Sequence, residues 1–302
     1  MRRLQIGGSV GITAKFNLIL VTVLGAGFAV IAFTTHRTLY DNAYHEVLGQ
    51  AGLMMDSAMA VRGYTFDEIR PILASGIGES FLPQIVPAYA ATQSFVRLHE
   101  KNPEYVYKEA ALNPTNPRNR AVDWETDIIS MFQNQPQLQE FTGERETPSG
   151  RSMYLSRPIR ISDGACLSCH STPEVAPKSM LQRYGNANGF GWNLHNVVGA
   201  QIVSVPMDVP IAKAQATFQL LMAVLAAIFV AVLVLMNVLL RLTVINPIQK
   251  MSRTANEVSR GNTDLPEFET KGKDEIAVLA VAFNRMRRSL DKAMAMLDNG
   301  RS

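Results

Sequence analysis

Five consecutive residues, Cys166-Leu167-Ser168-Cys169-His170, carry the most specific chemistry in this sequence. Two thiols three positions apart can close on the two vinyl groups of one porphyrin edge as thioethers. The histidine that follows is then carried beneath the ring, where its imidazole can ligate iron. The spacing predicts one covalent haem c per chain, with His170 as an axial iron ligand. Cys166 and Cys169 are also the two cysteines of the chain, so no thiol is left over. At this composition, chance gives the pattern in about one chain of ten thousand. Three other chemistries use part of it. A redox C-x-x-C sits between strand and helix of a βαβ unit, a pattern the surrounding residues lack. A zinc site needs a fourth ligand, such as His195 or an acid. A structural disulfide has no use for the histidine.

The second axial position is open to several groups. With no third cysteine, thiolate is excluded there. Met54, Met55 and Met59 fall on one helical stretch, and a thioether from one of them would raise the iron potential. The bland reading is that they fill the core, as methionine usually does. His36, His45, His99, His195 and a vacant site are the other options. Asn113-Pro114 and Asn116-Pro117 set two turns that bring Arg118 and Arg120 onto a tight loop. Guanidinium groups there suit haem propionates, or else pair with Asp123 or Glu125 as surface charges. Tyr184, Phe190 and Trp192 are candidate walls for the porphyrin, and Gly189 and Gly191 suit a turn or a close backbone approach.

The elements that must position these residues are legible in the charge pattern. The chain is 47% hydrophobic and 18% charged, against about 25% charged for a soluble protein. Phe16–Thr35 holds twenty residues without a charge, and 27 more lie between Lys213 and Arg241. Both are long enough to cross about 30 Å of hydrocarbon. The first is longer than a signal-peptide core and lacks a clean cleavage site, so it reads as an anchor. Residues 1–36 carry three basic groups and no acid, 37–213 carry 15 basic and 18 acidic, and 214–302 carry 11 basic and 8 acidic. By the positive-inside rule both termini are cytoplasmic and the middle segment is outside. The predicted organisation is a cytoplasmic N-terminus at 1–15, spans at 16–36 and 217–240, a periplasmic haem domain at 37–213, a cytoplasmic helical module at 241–295 and a tail at 296–302. Location is a bacterial inner membrane. The net charge of +3 is too small to suggest a nucleic-acid partner.

The outer segment holds 13 of the 15 prolines and is a turn-rich folded domain. Leu39, Ala43, Val47, Ala51, Met54 and Ala58 recur at three and four, as if the first span continues outward until Gly63 and Pro71 end it. Met153, Leu155, Ile159 and Ile161 read as one strand and Gly199–Val205 as another. The fold class is α+β. Beyond the second span, Pro247 opens a helix whose Ile248, Met251, Ala255 and Val258 repeat at three and four, and Gly261 stops it. A second seam runs through Ile276, Leu279, Phe283, Met286, Leu290, Ala293 and Leu297, behind Asp274-Glu275 at its start. Two short seams joined by a polar connector imply a parallel homodimer; an antiparallel hairpin is the alternative.

Pro247, the connector's Leu265 and Phe268, and Asp274-Glu275 resemble a HAMP linker over about residues 240–294. The outer domain resembles the PAS-like, single c-type haem domain of bacterial transmembrane sensors. That likeness rests on Tyr107–Ala121, on Ala165–Pro177, and on Gly189-Phe-Gly-Trp192 with Gly199–Pro206. Together these resemblances imply a membrane-bound sensor that relays a redox or diatomic-gas signal (NO, CO or O2) through HAMP to a separate kinase or other output protein. No histidine follows His195 and the sequence ends at Ser302, so no intrinsic kinase and no enzyme activity is expected. The alternatives are a membrane-anchored monohaem cytochrome for electron transfer and a haem enzyme acting on a small oxidant.

Overall fold

A computed structural model describes residues 11–77, 81–262, 265–268 and 272–299. Arg2, Arg3 and the end of the predicted tail lie outside the described residues, as does the Leu297 side chain. Along the chain run α1 (Ile12–Tyr64), α2 (Arg70–Ile77), α3 (Pro87–His99), β1 (Val106–Ala111), α4 (Asp123–Asn134), β2 (Phe141–Thr147), β3 (Gly150–Arg160), α5 (Leu167–His170), α6 (Lys178–Tyr184), β4 (Val197–Pro206), α7 (Asp208–Leu240), α8 (Asn246–Ser259) and α9 (Glu275–Asn299). Two compact units result, Thr35–Phe218 and the remainder.

The first unit is built on an antiparallel sheet of order β1-β4-β3-β2. Its central strand β4 is Val197-Val-Gly-Ala-Gln-Ile-Val-Ser-Val-Pro206, apolar almost throughout because both faces of the sheet are covered. On one face Val203, Val205, Met153 and Leu155 pack against Val47, Ala51, Met55 and Ala58 of α1. On the other, Ala200 and Ile202 meet Ile128, Ile129 and Phe132 of α4. Small residues at Ala51 and Ala58 let the α1 backbone lie close to the sheet, and the period of three and four puts them on one stripe. The predicted strands are present, β3 with a register irregularity between Ile159 and Arg160. Strands β1 and β2 carry weak periodicity, and tertiary cover, not local pattern, makes them regular; helices α3 and α4 are amphipathic and bury Phe95 and Ile128, Ile129 and Phe132.

The two prolines expected to mark helix boundaries do something different. Gly63 does not end α1, and Pro71 follows a π-helical turn, Thr65–Ile69, in which the Arg70 N–H donates to the Thr65 carbonyl. Pro247 likewise follows a π-helical turn, Arg241–Ile245, closed by the Asn246 N–H on the Arg241 carbonyl. Proline has no N–H, and its ring crowds the carbonyl four residues back. A wider turn just before it makes room, so the helical path runs on.

In the second unit, α1 and α7 contribute segments long and apolar enough to cross a membrane, with their apolar side chains outward. Asn17 and Asn237 exchange two amide hydrogen bonds between them, 2.8 and 2.9 Å, and Phe28 meets Phe229 edge-on at 5.7 Å. The C-terminal helix pair holds its connector through polar groups that periodicity did not single out. Asn284 accepts from the Phe268 N–H at 3.1 Å and donates to its carbonyl at 3.0 Å. Arg287 donates to the Pro266 and Leu265 carbonyls. Leu279, Met286 and Leu290 of the predicted seam stay 48, 60 and 44% exposed within one chain.

Leu155 is almost fully buried between α1 and the sheet. Leu155→Ala is expected to cost about 3 kcal/mol, read as a lowered midpoint in thermal unfolding of the detergent-solubilised chain.

Candidate functional site

Asp163 begins the site. Its carboxylate accepts from the Ala165 N–H at 2.7 Å, capping a short 3-10 turn, Gly164–Cys166, that leads straight into α5. The three-residue spacing then sets Cys166 and Cys169 about one turn apart on the same side. Both thiols are free. Together with His170 they line a cavity of about 800 Å³, within the range of cofactor sites.

His170 is held from behind. Its Nδ1 donates to the Gly189 carbonyl at 2.7 Å, and because a carbonyl only accepts, the neutral ring carries its proton there. That leaves the Nε2 lone pair free of any partner among the described residues, the tautomer that binds metal. Thr115 Oγ1 lies 3.4 Å from the same Nδ1, and Trp192 stacks on the imidazole, centroids 3.9 Å apart and 13° from parallel. Burial pushes the His170 pKa down, partly offset by the bond to Gly189. The ring is therefore neutral at neutral pH.

The loop behind His170 needs its glycines. Gly189 has φ of +86°, and a Cβ there would stand 2.0 Å from Thr115 Oγ1. Its N–H donates to Asn113 Oδ1 at 3.2 Å. Residues 113–115 and 189–192 thus meet around the histidine. Gly191 has φ of +79° with open space at its Cβ.

Phe66, Phe81, Tyr89, Met180 and Tyr184 supply the apolar and aromatic wall, while Arg62, Arg70, Arg118 and Arg160 bring positive charge to it. An aromatic slot with a neutral imidazole, two adjacent thiols and several guanidiniums fits a flat iron porphyrin bearing carboxylates. The thiol-redox reading fits less well. Burial, with Asp163 beside it, raises the Cys166 pKa although Arg70 and Arg62 oppose the shift, and a reactive C-x-x-C thiol has a depressed one. For zinc, no group of three or more metal-binding side chains occurs among the described residues. His195 is exposed, with φ of 70°, and is not in the cavity wall.

Of the arginines singled out from sequence, Arg118 is in the wall and Arg120 is not. Arg118 reaches the Tyr89 ring at 5.9 Å, and with the Gln93 amide oxygen turned toward it donates to Gln93 at 2.8 and 3.0 Å. Arg120 bonds Asn188 at 3.2 Å. Neither takes Glu125, which pairs with Lys108 at 2.6 Å. Tyr184 and Trp192 line the cavity, and Phe190 does not.

The methionine candidates are corrected by the fold. Met55 is fully buried against the sheet, Met54 packs on the same core, and Met59 accepts from Gln201 at 3.2 Å. None lines the cavity, which lies further along the axis of α1. The α1 residues that do line it lie one turn further on, Arg62 and Gly63. Arg62 donates to Glu109 at 2.5 Å, and the Tyr107 hydroxyl donates to the other Glu109 oxygen at 2.7 Å. Sequence reasoning missed this pair, since 47 residues separate a helix from a strand with no local pattern joining them.

The family model described as Tll0287-like matches residues 40–206, and that of the HAMP domain matches residues 239–292. The chain is 28% identical over 125 residues to the sensor histidine kinase WalK of Bacillus subtilis (strain 168). That match covers 41% of this chain and 20% of the kinase, so the chain spans about a fifth of that relative's length. The crystal structure of the cyanobacterial heme-protein Tll0287 aligns with a TM-score of 0.43 at 18% identity, over 53% of this chain and 95% of that one.

The two glycines separate strain from collision. Gly191→Ala is expected to cost about 1–2 kcal/mol for its left-handed backbone alone. Gly189→Ala should cost clearly more, since its Cβ also strikes Thr115, and thermal unfolding of both variants reads the difference.

Proposed function

This chain belongs to the Tll0287-like family, and on that premise we propose that it is a two-pass inner-membrane sensor whose outer domain holds one covalent haem c. The observation that carries the reading is the single cavity that gathers Cys166, Cys169 and a histidine anchored through Nδ1. In this proposal the two thiols form thioethers to the porphyrin edge and His170 Nε2 ligates the iron. Trp192 and the Gly189 carbonyl keep the imidazole upright and in the ligating tautomer, while Arg118 neutralises a propionate. The bound haem would supply a one-electron couple and a site for NO, CO or O2. The protein's own part is to bind, orient and report.

The path for the report is continuous helix. Helix α1 carries Arg62 and Gly63 in the cavity wall and runs without a break from Ile12. Strand β4 reaches α7 after Pro206 and Met207. Both membrane helices therefore connect directly to the domain that would change, and α7 passes through one π-helical turn into the HAMP pair. The exposed Leu279, Met286 and Leu290 support a parallel homodimer in which the seam is covered by a second copy. With the domain outside, both termini are cytoplasmic. The HAMP match at residues 239–292 supports relay to a cytoplasmic output partner.

Two measurements test this. Full chain produced with a cytochrome c maturation system should retain haem through denaturing electrophoresis, and Cys166→Ala with Cys169→Ala should abolish that signal. His170→Ala should keep the covalent band but alter the Soret maximum. An unmodified chain without covalent haem would return Cys166 and Cys169 to thiol chemistry. Separately, Leu290→Glu should convert the detergent-solubilised dimer to monomer in light scattering, because a charge at a seam position costs more than the seam contributes.

A further inference from the structure

The Arg62–Glu109 pair has features that neither packing nor haem attachment requires. Both side chains line the cavity, yet they come from different layers, Arg62 from helix α1 and Glu109 from strand β1. Glu109 is 4% exposed, so its carboxylate is held out of water with a guanidinium and a tyrosine hydroxyl as partners. Burial pulls the Arg62 pKa down, but Glu109 and Tyr107 more than offset this and it ends raised. The guanidinium is charged. Gln201, the register partner of Glu109 on β4, reaches the Tyr107 hydroxyl and also Met59 of α1. A polar cluster therefore ties α1 to the edge strand β1 and its neighbour β4, and one edge of it faces the cavity.

Resting on the haem reading above, we propose that Arg62 and Glu109 are positioning residues that set the reduction potential of the group in the cavity and transmit its charge state to helix α1. A haem held there would accept one electron from a one-electron carrier outside the membrane, and no bond of the protein would be made or broken. The charge facing the pair falls by one unit. Arg62 is drawn toward the site more strongly in the reduced state, and Glu109 more strongly in the oxidised state. A low-dielectric interior screens this poorly. The balance of the Arg62–Glu109 contact therefore shifts with oxidation state. Arg62 lies in the last turns of a helix that continues to Ile12, so the shift is applied to the element that leads into the membrane.

The signs are specific. Arg62→Met removes a cation and leaves Glu109 unpaired, which favours the ferric state and lowers the potential. Glu109→Gln leaves Arg62 unpaired and raises it. Arg62→Lys keeps the charge and should stay near the unmodified value. Arg62→Met combined with Glu109→Gln removes both charges, avoids an uncompensated buried ion, and should return the potential toward the starting value.

The test is a mediator-controlled redox titration of the full chain with covalent haem in detergent, followed at the Soret band. Arg62→Met and Glu109→Gln should each change the oxidised-to-reduced ratio at fixed potential at least tenfold, about 59 mV for one electron, and Arg62→Lys should not. Hydrogen exchange read by mass spectrometry should show, in the unmodified chain, an oxidation-dependent difference in peptides covering residues 55–66, and Arg62→Met and Glu109→Gln should lose it. Unmoved potentials overturn the proposal. So do shifts of the same sign in both single variants, which would mean general loosening of the site, and so does an exchange difference that survives in the variants. A chain with no Soret band would overturn the haem reading itself, and is distinguishable on sight from a normal band with unmoved potentials.

Discussion

The bond of 2.7 Å from His170 Nδ1 to the Gly189 carbonyl is the contact on which the site's organisation depends. It chooses the tautomer, fixes the ring against Trp192 and leaves one nitrogen for chemistry. It also explains why a loop of unusual backbone is kept there. Gly189 holds a positive φ that brings its carbonyl under the imidazole, and Thr115 and Asn113 close the other side of the same residue. A side chain at 189 would displace all three. Segments separated in sequence by tens of residues thus act as one support for a single ring.

The second constraint is that α1 has two jobs along one axis. Its inner half is apolar all round and suited to lipid. Its outer half carries one apolar stripe, with Ala51 and Ala58 close against the sheet and polar groups elsewhere. Helical geometry lets one element satisfy both because the residue pattern changes while the hydrogen-bond ladder does not. The π-helical turns before Pro71 and Pro247 follow the same economy. Each accommodates a proline by widening the ladder instead of breaking it, and each lies where a helix leaves one environment for another. Beyond the second of these turns the chain enters the HAMP match at residues 239–292. A HAMP pair needs displacement delivered to it and has few means of generating any itself.

Much of this was legible from residue order because the signals were local. Cys166, Cys169 and His170 are contiguous, and the covalent geometry they imply is short-ranged. The membrane segments are apolar without interruption over twenty residues or more and the C-terminal seam repeats at three and four, so a helix is the one element that makes sense of both. Strands β3 and β4 alternate or run apolar over their length. By contrast, β1 (Val-Tyr-Lys-Glu-Ala-Ala) and β2 (Phe-Thr-Gly-Glu-Arg-Glu-Thr) are polar enough to read as loops, and are strands because a neighbour supplies their hydrogen bonds.

The sequence by itself determined that two thiols and a histidine stand together, which segments are long and apolar enough to cross a membrane and that the domain between is α+β, since each follows from residue type at fixed spacing. The tertiary structure alone decided which distant groups share the cavity. The position of the cavity along α1 leaves Met54, Met55 and Met59 short of it and puts Arg62 in its wall. The path of β1 sets Glu109 against it, and the loop at 189–192 closes beneath His170. Such choices depend on packing between elements, whose energy is spread over many weak apolar contacts and leaves no spacing in the chain to be read.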